Sequence, residues 1–381
     1  MQLGNFKMNV LFVFNNPLDA MAGGVERVTV SVMHGLLQYG IQSFYLQDTG
    51  TETLFEGKAV DVERFFIDKS IDIVVQQLAY NGVVSRYLSC KAKNIPYIVA
   101  WHTAPPTFVK SWRIASTKTF GSVGDEIKRF VRMAFFPIFY WKELKRFHDR
   151  WDKIIPRVSK VLLLSESFSP CFQSLLKIPS EKIVAIPNPL SFEEIKDVDL
   201  ISRKKNEVLI VSRMKEPQKR ISLALKIWRE VEKSKIAETW TLRVIGEGEN
   251  LQDYKRLAAK MNLKNVQFMG KQNPRPFYET ASMSMMTSSF EGWGLTLTES
   301  QQYGVVPLAF DSYTSVKDII SDGENGCLIP YGNLEMYAQK VLHLMNDVEM
   351  RRKMALNCLD SSSRFKVEMI IPKWRKLLCS F

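Results

Sequence analysis

A chain of 381 residues is longer than one hydrophobic core usually organises, so two domains are expected. Its 46% hydrophobic and 24% charged residues exclude a disordered chain, and its five cysteines, odd in number and without a C-x-x-C pair, exclude a disulfide scaffold and point to a reduced, cytoplasmic setting. The net charge of +12 calls for an anionic partner or surface.

The first apolar run, Met8 to Phe14, is followed by no small-residue cleavage site, so it reads as a strand and not as a signal peptide. Asn15 to Arg27 comes next, with Gly23-Gly24-Val25-Glu26-Arg27 opening a helix expected over Gly24 to Tyr39. Val25, Val28, Val32 and Leu36 give that helix one apolar face, and Gly40 stops it. A glycine-rich loop opening a helix suits phosphate, although the spacing is not the dinucleotide G-x-G-x-x-G. Ser43 to Leu46, Ile71 to Gln76, Tyr97 to Trp101, Val161 to Leu164 and Ile183 to Ile186 are further short apolar runs, of the kind found in parallel sheets buried on both faces. Trp101-His102-Thr103 stands at the end of one of them.

The stretch from Thr107 to Lys160 holds 13 Lys and Arg against 5 Asp and Glu. Within it, Ile127, Phe130, Val131, Ala134, Phe135 and Ile138 recur at helical spacing, as do Trp141, Leu144, Trp151, Ile154, Ile155 and Val158, with Pro137 dividing the two runs. Lys128, Arg129, Arg132, Lys142, Lys145, Arg146, Arg150, Lys153 and Arg157 fill mainly the other faces. Two readings stand: a helix that covers its own domain, or an aromatic face in lipid with cations on anionic headgroups. Position after His102 favours the lipid. Nucleic acid is not expected, because no stacking platform or known module accompanies the charge. No run approaches the roughly 18 apolar residues of a membrane span.

Asn188 to Asn206 is polar and starts Asn188-Pro189, the composition of an interdomain connection. A second alternating series follows: Val208 to Val211, Leu242 to Ile245, Val266 to Met269, Met283 to Met286, Val306 to Phe310 and Cys327 to Ile329. Two βα series joined by one linker imply an α/β fold of two doubly wound domains, with ligands at the carboxyl ends of the strands in the cleft between them. The expected boundaries are 1–190, a linker 191–206, 207–365, and a last amphipathic helix within 366–381, read over Val367 to Leu378, that packs back on the first domain. Asp197-Val198-Asp199 matches the letters of a metal-binding D-x-D, but no strand precedes it, and the 4 histidines form no pair at ligand spacing, so no metal site and no cofactor are expected.

The densest signal is Ser289-Phe290-Glu291-Gly292-Trp293-Gly294-Leu295-Thr296-Leu297-Thr298-Glu299-Ser300. It places two acids eight positions apart across a loop-to-helix junction. Gly292 and Gly294 let backbone approach a ligand, and a helix starting at about Leu295 points N–H groups of Leu295 and Thr296 at an anion. Glu291 is expected in the loop and Glu299 just over two turns along the helix. Arg213 stands where a strand ends, and Lys219 is expected to open the next helix, with Arg220 its rival as a phosphate contact. Gly246-Glu247-Gly248-Glu249 follows a strand and reads as a strand-to-helix turn.

This segment resembles the E-x(7)-E motif of the retaining glycosyltransferases of family 4. Arg213 with Lys219, and the tail Gly304-Val305-Val306-Pro307 to Asp322-Gly323-Glu324-Asn325-Gly326, are similar to that family's motifs, as are the GGxE-like loop at Gly23 and the histidine at 102. The resemblance implies the GT-B fold, two Rossmann-like domains facing each other across a cleft. It also implies a metal-independent hexosyltransferase that moves a hexose or N-acetylhexosamine from a nucleotide-sugar, taken as UDP-linked, to a glycan or lipid-linked acceptor in cell-surface polysaccharide or lipopolysaccharide synthesis. In that picture Glu291 faces the sugar and His102 orients it. Arg213, Lys219, Gly292, Gly294, Leu295 and Thr296 hold the diphosphate, Glu299 takes the ribose hydroxyls, and Glu247 lies at the base. Gly23, Gly24, Glu26 and Arg27 form the loop toward phosphate and acceptor. The enzyme would be cytoplasmic and bound to the inner face of the membrane. The rivals are a glycosidase or phosphorylase using Glu291 and Glu299 as a carboxylate pair, a sugar-nucleotide epimerase, and a noncatalytic nucleotide-binding partner.

Overall fold

The structure, a computed structural model, describes residues 8–19, 23–103, 131, 135–192 and 198–381. Two compact units emerge. The first is built on the described parts of Met1–Pro106 and Trp141–Ser191 with Phe365–Phe381, the second on Phe192–Arg364 with the described residues of Thr107–Tyr140, a stretch expected in the first domain.

The first unit carries β1 (Met8–Phe14), β2 (Ile41–Asp48), β3 (Thr53–Phe55), β4 (Lys58–Val60), β5 (Ile73–Gln76), β6 (Tyr97–Trp101), β7 (Lys160–Leu163) and β8 (Ile183–Ala185). They lie in the order β4-β3-β2-β1-β5-β6-β7-β8. Val10, Leu11, Phe12 and Val13 are fully buried, which explains why β1 is apolar without a break from Val10 to Phe14: helices cover both faces. β3 and β4 are an antiparallel hairpin that the apolar pattern does not reveal. Each is three residues long, and their two-residue link, Glu56-Gly57, has positive φ at both positions, the geometry that suits strand twist.

The C-terminal helix Val367–Leu378 packs on the helix Gly24–Leu37 within this unit. Gly35 makes that approach possible, since a Cβ there would lie 2.5 Å from Cγ1 of Ile371. Trp374 meets Phe12 with ring centroids 6.1 Å apart.

The second unit is an all-parallel sheet of β9 (Lys205–Val211), β10 (Thr241–Ile245), β11 (Val266–Gly270), β12 (Ala281–Met286), β13 (Val306–Asp311) and β14 (Cys327–Pro330), ordered β11-β10-β9-β12-β13-β14. Strand order reverses between β9 and β12, as it does between β1 and β5 in the first unit. Loops at the carboxyl ends of such neighbours diverge and leave a crevice. The polar stretch expected as a linker is partly structured. Phe192 packs its ring 6.2 Å from Tyr278 and 5.6 Å from Tyr303, and Leu200 is buried in the 3-10 turn Val198–Arg203. Asp199 lies in that turn and not behind a strand, while Asp197 lies outside the described residues. All five cysteines are free, and no helix among the described residues is long and apolar enough to cross a membrane.

Candidate active site

At the switch point of the second unit, β9 leads to Arg213 and β12 to Glu291, and the pairing of these two strands brings their loops together. Backbone stitches the loops: Ser289 N–H donates to Gln218 O at 2.7 Å, and Thr287 Oγ1 donates to Lys219 O at 3.2 Å and Arg220 O at 3.0 Å. Lys219 Nζ then lies 2.5 Å from Glu291 Oε1, and Gln218 Nε2 lies 3.4 Å from Glu291 Oε2. The Glu291 charge also reaches Tyr313, whose phenol is pushed well above its ordinary value first by burial and then by this carboxylate. Two sequence expectations change here. Lys219 closes a one-turn helix, Glu216–Lys219, and does not open the next one, which begins at Ile221. Arg220 points inward, 3% exposed beside Glu216, so of the two rivals it is Lys219 that faces the loop.

The helix Leu295–Gln302 begins where the sequence places it. Its N-cap, Gly294, has φ 96° and ψ 55°, and a Cβ there would also lie 2.7 Å from the Tyr313 hydroxyl, so the position needs glycine. Ser315 Oγ donates to Gly292 O at 3.1 Å and fixes the loop from beneath. The N–H groups of Leu295 and Thr296, at the partly exposed end of the helix, have no acceptor within it. Arg213 is exposed and makes no ion pair or side-chain hydrogen bond among the described residues. Glu299 is the fifth residue of the helix, a little over one turn in where two were expected. It is 1% exposed and accepts from the Tyr278 hydroxyl at 3.0 Å.

The Gly246-Glu247-Gly248 turn has a structural cause. A Cβ at Gly246 would sit 1.9 Å from Ser212 O, and one at Gly248 would sit 2.8 Å from Met214 O. The two glycines let this turn run against the loop that carries Arg213, where Met214 N–H donates to Glu247 O at 2.8 Å. The Glu247 side chain itself is exposed and pairs with Lys271 at 3.6 Å.

In the first unit, Gly23 caps the helix Gly24–Leu37, and Glu26 folds its carboxylate back over the cap, so that a Cβ on Gly23 would lie 2.5 Å from Glu26 Oε2. Arg27 N–H donates to Gly23 O at 3.2 Å. His102 follows β6 directly. Its Nε2 contacts Gln77 Oε1, its Nδ1 is buried without a partner among the described residues, and burial lowers its pKa to about 4, so the ring is neutral near pH 7. Gln77 was not singled out from the sequence. The available signal was a pair of amides, Gln76-Gln77, ending an apolar strand, and Gln76 is spent on Leu78 O and Tyr80 O, both at 2.8 Å.

The basic segment divides. Phe147, Trp151, Ile154 and Val158 are core, with Trp101 centred 5.7 Å from both Phe147 and Trp151. Arg157 donates to Leu88 O at 3.2 Å and Ala92 O at 3.1 Å, capping a helix and not meeting lipid. Upstream, Val131, Phe135, Ile138 and Trp141 are 43%, 51%, 62% and 64% exposed, and Lys145 Nζ lies 5.6 Å from the Trp141 ring. Ile127, Lys128, Arg129, Phe130, Arg132 and Ala134 lie outside the described residues.

Two doubly wound α/β units, each with a strand-order switch point, define the GT-B fold. The pneumococcal O-GlcNAc transferase GtfA, solved with UDP and GlcNAc, shares the fold with a TM-score of 0.73 over 98% of this chain and 99% of its own, at 13% identity. Residues 191–358 match the family described as Glycosyl transferases group 1. An uncharacterized glycosyltransferase of Haemophilus influenzae is 23% identical across 99% of both chains. The alpha-1,4-N-acetyl-D-galactosaminyltransferase of Campylobacter jejuni, named for a diNAcBac-PP-undecaprenol-linked substrate, is 25% identical over 52% of this chain and 55% of its own. The group 1 match thus falls on the second unit, and across the whole chain the similarity is to glycosyltransferases.

Proposed function

We propose that the enzyme is a retaining, metal-independent hexosyltransferase of family 4, moving a hexose or N-acetylhexosamine from a UDP-sugar to a glycan or lipid-linked acceptor in cell-surface polysaccharide synthesis. The observation that carries this reading is the Lys219–Glu291 pair at the switch point, beside Arg213 and the start of the helix Leu295–Gln302. A departing diphosphate concentrates charge on its oxygens, and preorganised cations and N–H dipoles stabilise that charge as it develops. Arg213, Lys219 and the N–H groups of Leu295 and Thr296 supply them, with Gly292 and Gly294 giving the backbone access. Glu291 is left to face the sugar. Glu299 offers two acceptor oxygens to ribose hydroxyls in exchange for the Tyr278 contact. Neutral His102 orients the sugar through a ring nitrogen, and the loop Gly23, Gly24, Glu26, Arg27 lies toward phosphate and acceptor. Glu247 is the candidate nearest the base.

The two named relatives support the acceptor and donor classes: one is named for an undecaprenol-linked substrate, the other was solved with UDP and GlcNAc. The exposed Val131 and Phe135, and Ile138 and Trp141 with Lys142 and Lys145 on the helix Phe136–Trp151, fit the anionic inner face of a membrane, where such an acceptor resides.

Incubation with radiolabelled UDP-sugars and a membrane extract tests the reading. Transfer of label to lipid or glycan without added metal is expected. Hydrolysis or epimerisation alone would point to a glycosidase-like enzyme or an epimerase instead, and activity abolished by chelator and restored by magnesium would overturn the metal-independent part.

A further inference from the structure

Five described residues other than glycine have positive φ, and four of them, Glu56, Ser70, Lys177 and Asn262, are exposed. The fifth, Arg220, is buried, with φ 52° and ψ 38°, and it adjoins Lys219. A left-handed backbone costs a residue with a side chain roughly 1–2 kcal/mol, so a buried example beside a site residue calls for a cause.

The cause lies on both sides of the chain. Were residue 220 helical, Glu216–Lys219 and Ile221–Val231 would merge into one helix, and the carbonyls of Gln218 and Lys219 would be consumed by N–H groups one turn on. The left-handed break releases them, and they accept instead from Ser289 N–H at 2.7 Å and Thr287 Oγ1 at 3.2 Å, the residues that lead to Glu291. Arg220 can hold this conformation because its side chain is anchored: Nη1 lies 3.9 Å from Glu216 Oε1, both side chains 3% exposed. Glu216 is itself fixed by Ser222 Oγ, by the Tyr254 hydroxyl at 2.8 Å, and through its own N–H by Asn250 Oδ1 at 2.9 Å.

We propose that Arg220, anchored by Glu216, is a positioning residue: its left-handed backbone breaks the helix so that Lys219 is delivered opposite Glu291, where it meets the donor diphosphate. This rests on Lys219 being a diphosphate contact, as proposed above. Arg220 does not touch the ligand; it acts through Lys219.

The test is UDP affinity by calorimetry on the full chain, for Arg220→Ala, Arg220→Gly, Lys219→Ala and the double variant Lys219→Ala with Arg220→Ala. Alanine favours the merged helix and glycine tolerates the break, so the expected order is the reverse of helix propensity. Arg220→Ala weakens UDP about tenfold, and Arg220→Gly stays within about threefold of the parent. In the Lys219→Ala background, Arg220→Ala adds less than about twofold, because its effect passes through the missing lysine. Equal losses for alanine and glycine, or a full tenfold loss that persists without Lys219, would overturn the proposal. Because Arg220→Ala strands a buried carboxylate, Glu216→Gln with Arg220→Ala serves if the single variant does not fold, with the same order expected against Glu216→Gln with Arg220→Gly. If Lys219→Ala itself leaves UDP affinity unchanged, the diphosphate assignment fails and this proposal with it. A weakened Lys219→Ala beside an unaffected Arg220→Ala sinks the positioning role alone.

Discussion

The ammonium of Lys219 lies 2.5 Å from the carboxylate of Glu291, with side chains 16% and 10% exposed. Such a pair falls between the roughly 0–1 kcal/mol of an exposed ion pair and the 3–5 kcal/mol lost when a buried one is broken. Glu291 thus holds the cation that is proposed to meet the diphosphate.

Glu291→Gln should therefore separate two effects. Turnover falls at least about a hundredfold, because the group proposed to face the sugar loses its charge. Affinity for UDP rises, since the internal anion competing for Lys219 is gone. Steady-state kinetics and calorimetry on one preparation read both, and unchanged turnover with weakened UDP binding would reverse the assignment.

Arg213 is exposed and makes no ion pair among the described residues, so Arg213→Ala should leave thermal stability nearly unchanged while raising the barrier behind kcat/KM by about 3 kcal/mol, comparable to losing an oxyanion donor. A variant with parental kinetics would remove Arg213 from the site.

His102 titrates at about 4 in the folded protein because burial disfavours the imidazolium, against about 6.5 when unfolded. Between these values the unfolded chain holds more protons, so this group's contribution to stability is complete above about pH 6.5 and is lost as pH falls toward 4. The melting temperatures of the protein and of His102→Gln, followed from pH 8 to 4, should diverge in that window and run parallel above it. An NMR titration midpoint of the His102 ring above 6 would contradict the burial argument.

The exposed stripe predicts flotation with anionic liposomes at low salt and release at high salt, at about 1 kcal/mol for each cation near the surface. Ile138→Glu with Trp141→Glu should abolish flotation and leave the melting temperature unchanged, since both positions are exposed. A parental protein that stays in the soluble fraction at low salt ends the membrane reading.

The sheets were legible because their strands are covered on both faces and therefore read as largely apolar runs, with β1 and β6 bounded to the residue. The hairpin β3–β4 was not, since three-residue strands carry no period and their turn shows only as Glu56-Gly57. At the site, glycines announced the helix start at Leu295, but side-chain direction has no one-dimensional trace. Nothing in Lys219-Arg220 says which cation turns inward. Gln77 meets His102 only because β5 and β6 are neighbours, a pairing set by the whole sheet.

The helix Val367–Leu378 fills a groove over Gly35 that belongs to the first unit, yet the ribosome makes it after every strand of the second. Chains commonly fold in the order of synthesis. Here the order of completion is inverted. The β9–β14 sheet can close while the earlier-made unit still shows Phe12 and the groove over Gly35 without their final cover, and a ribosome stalled before Val367 would leave a finished second sheet tethered to an unfinished partner.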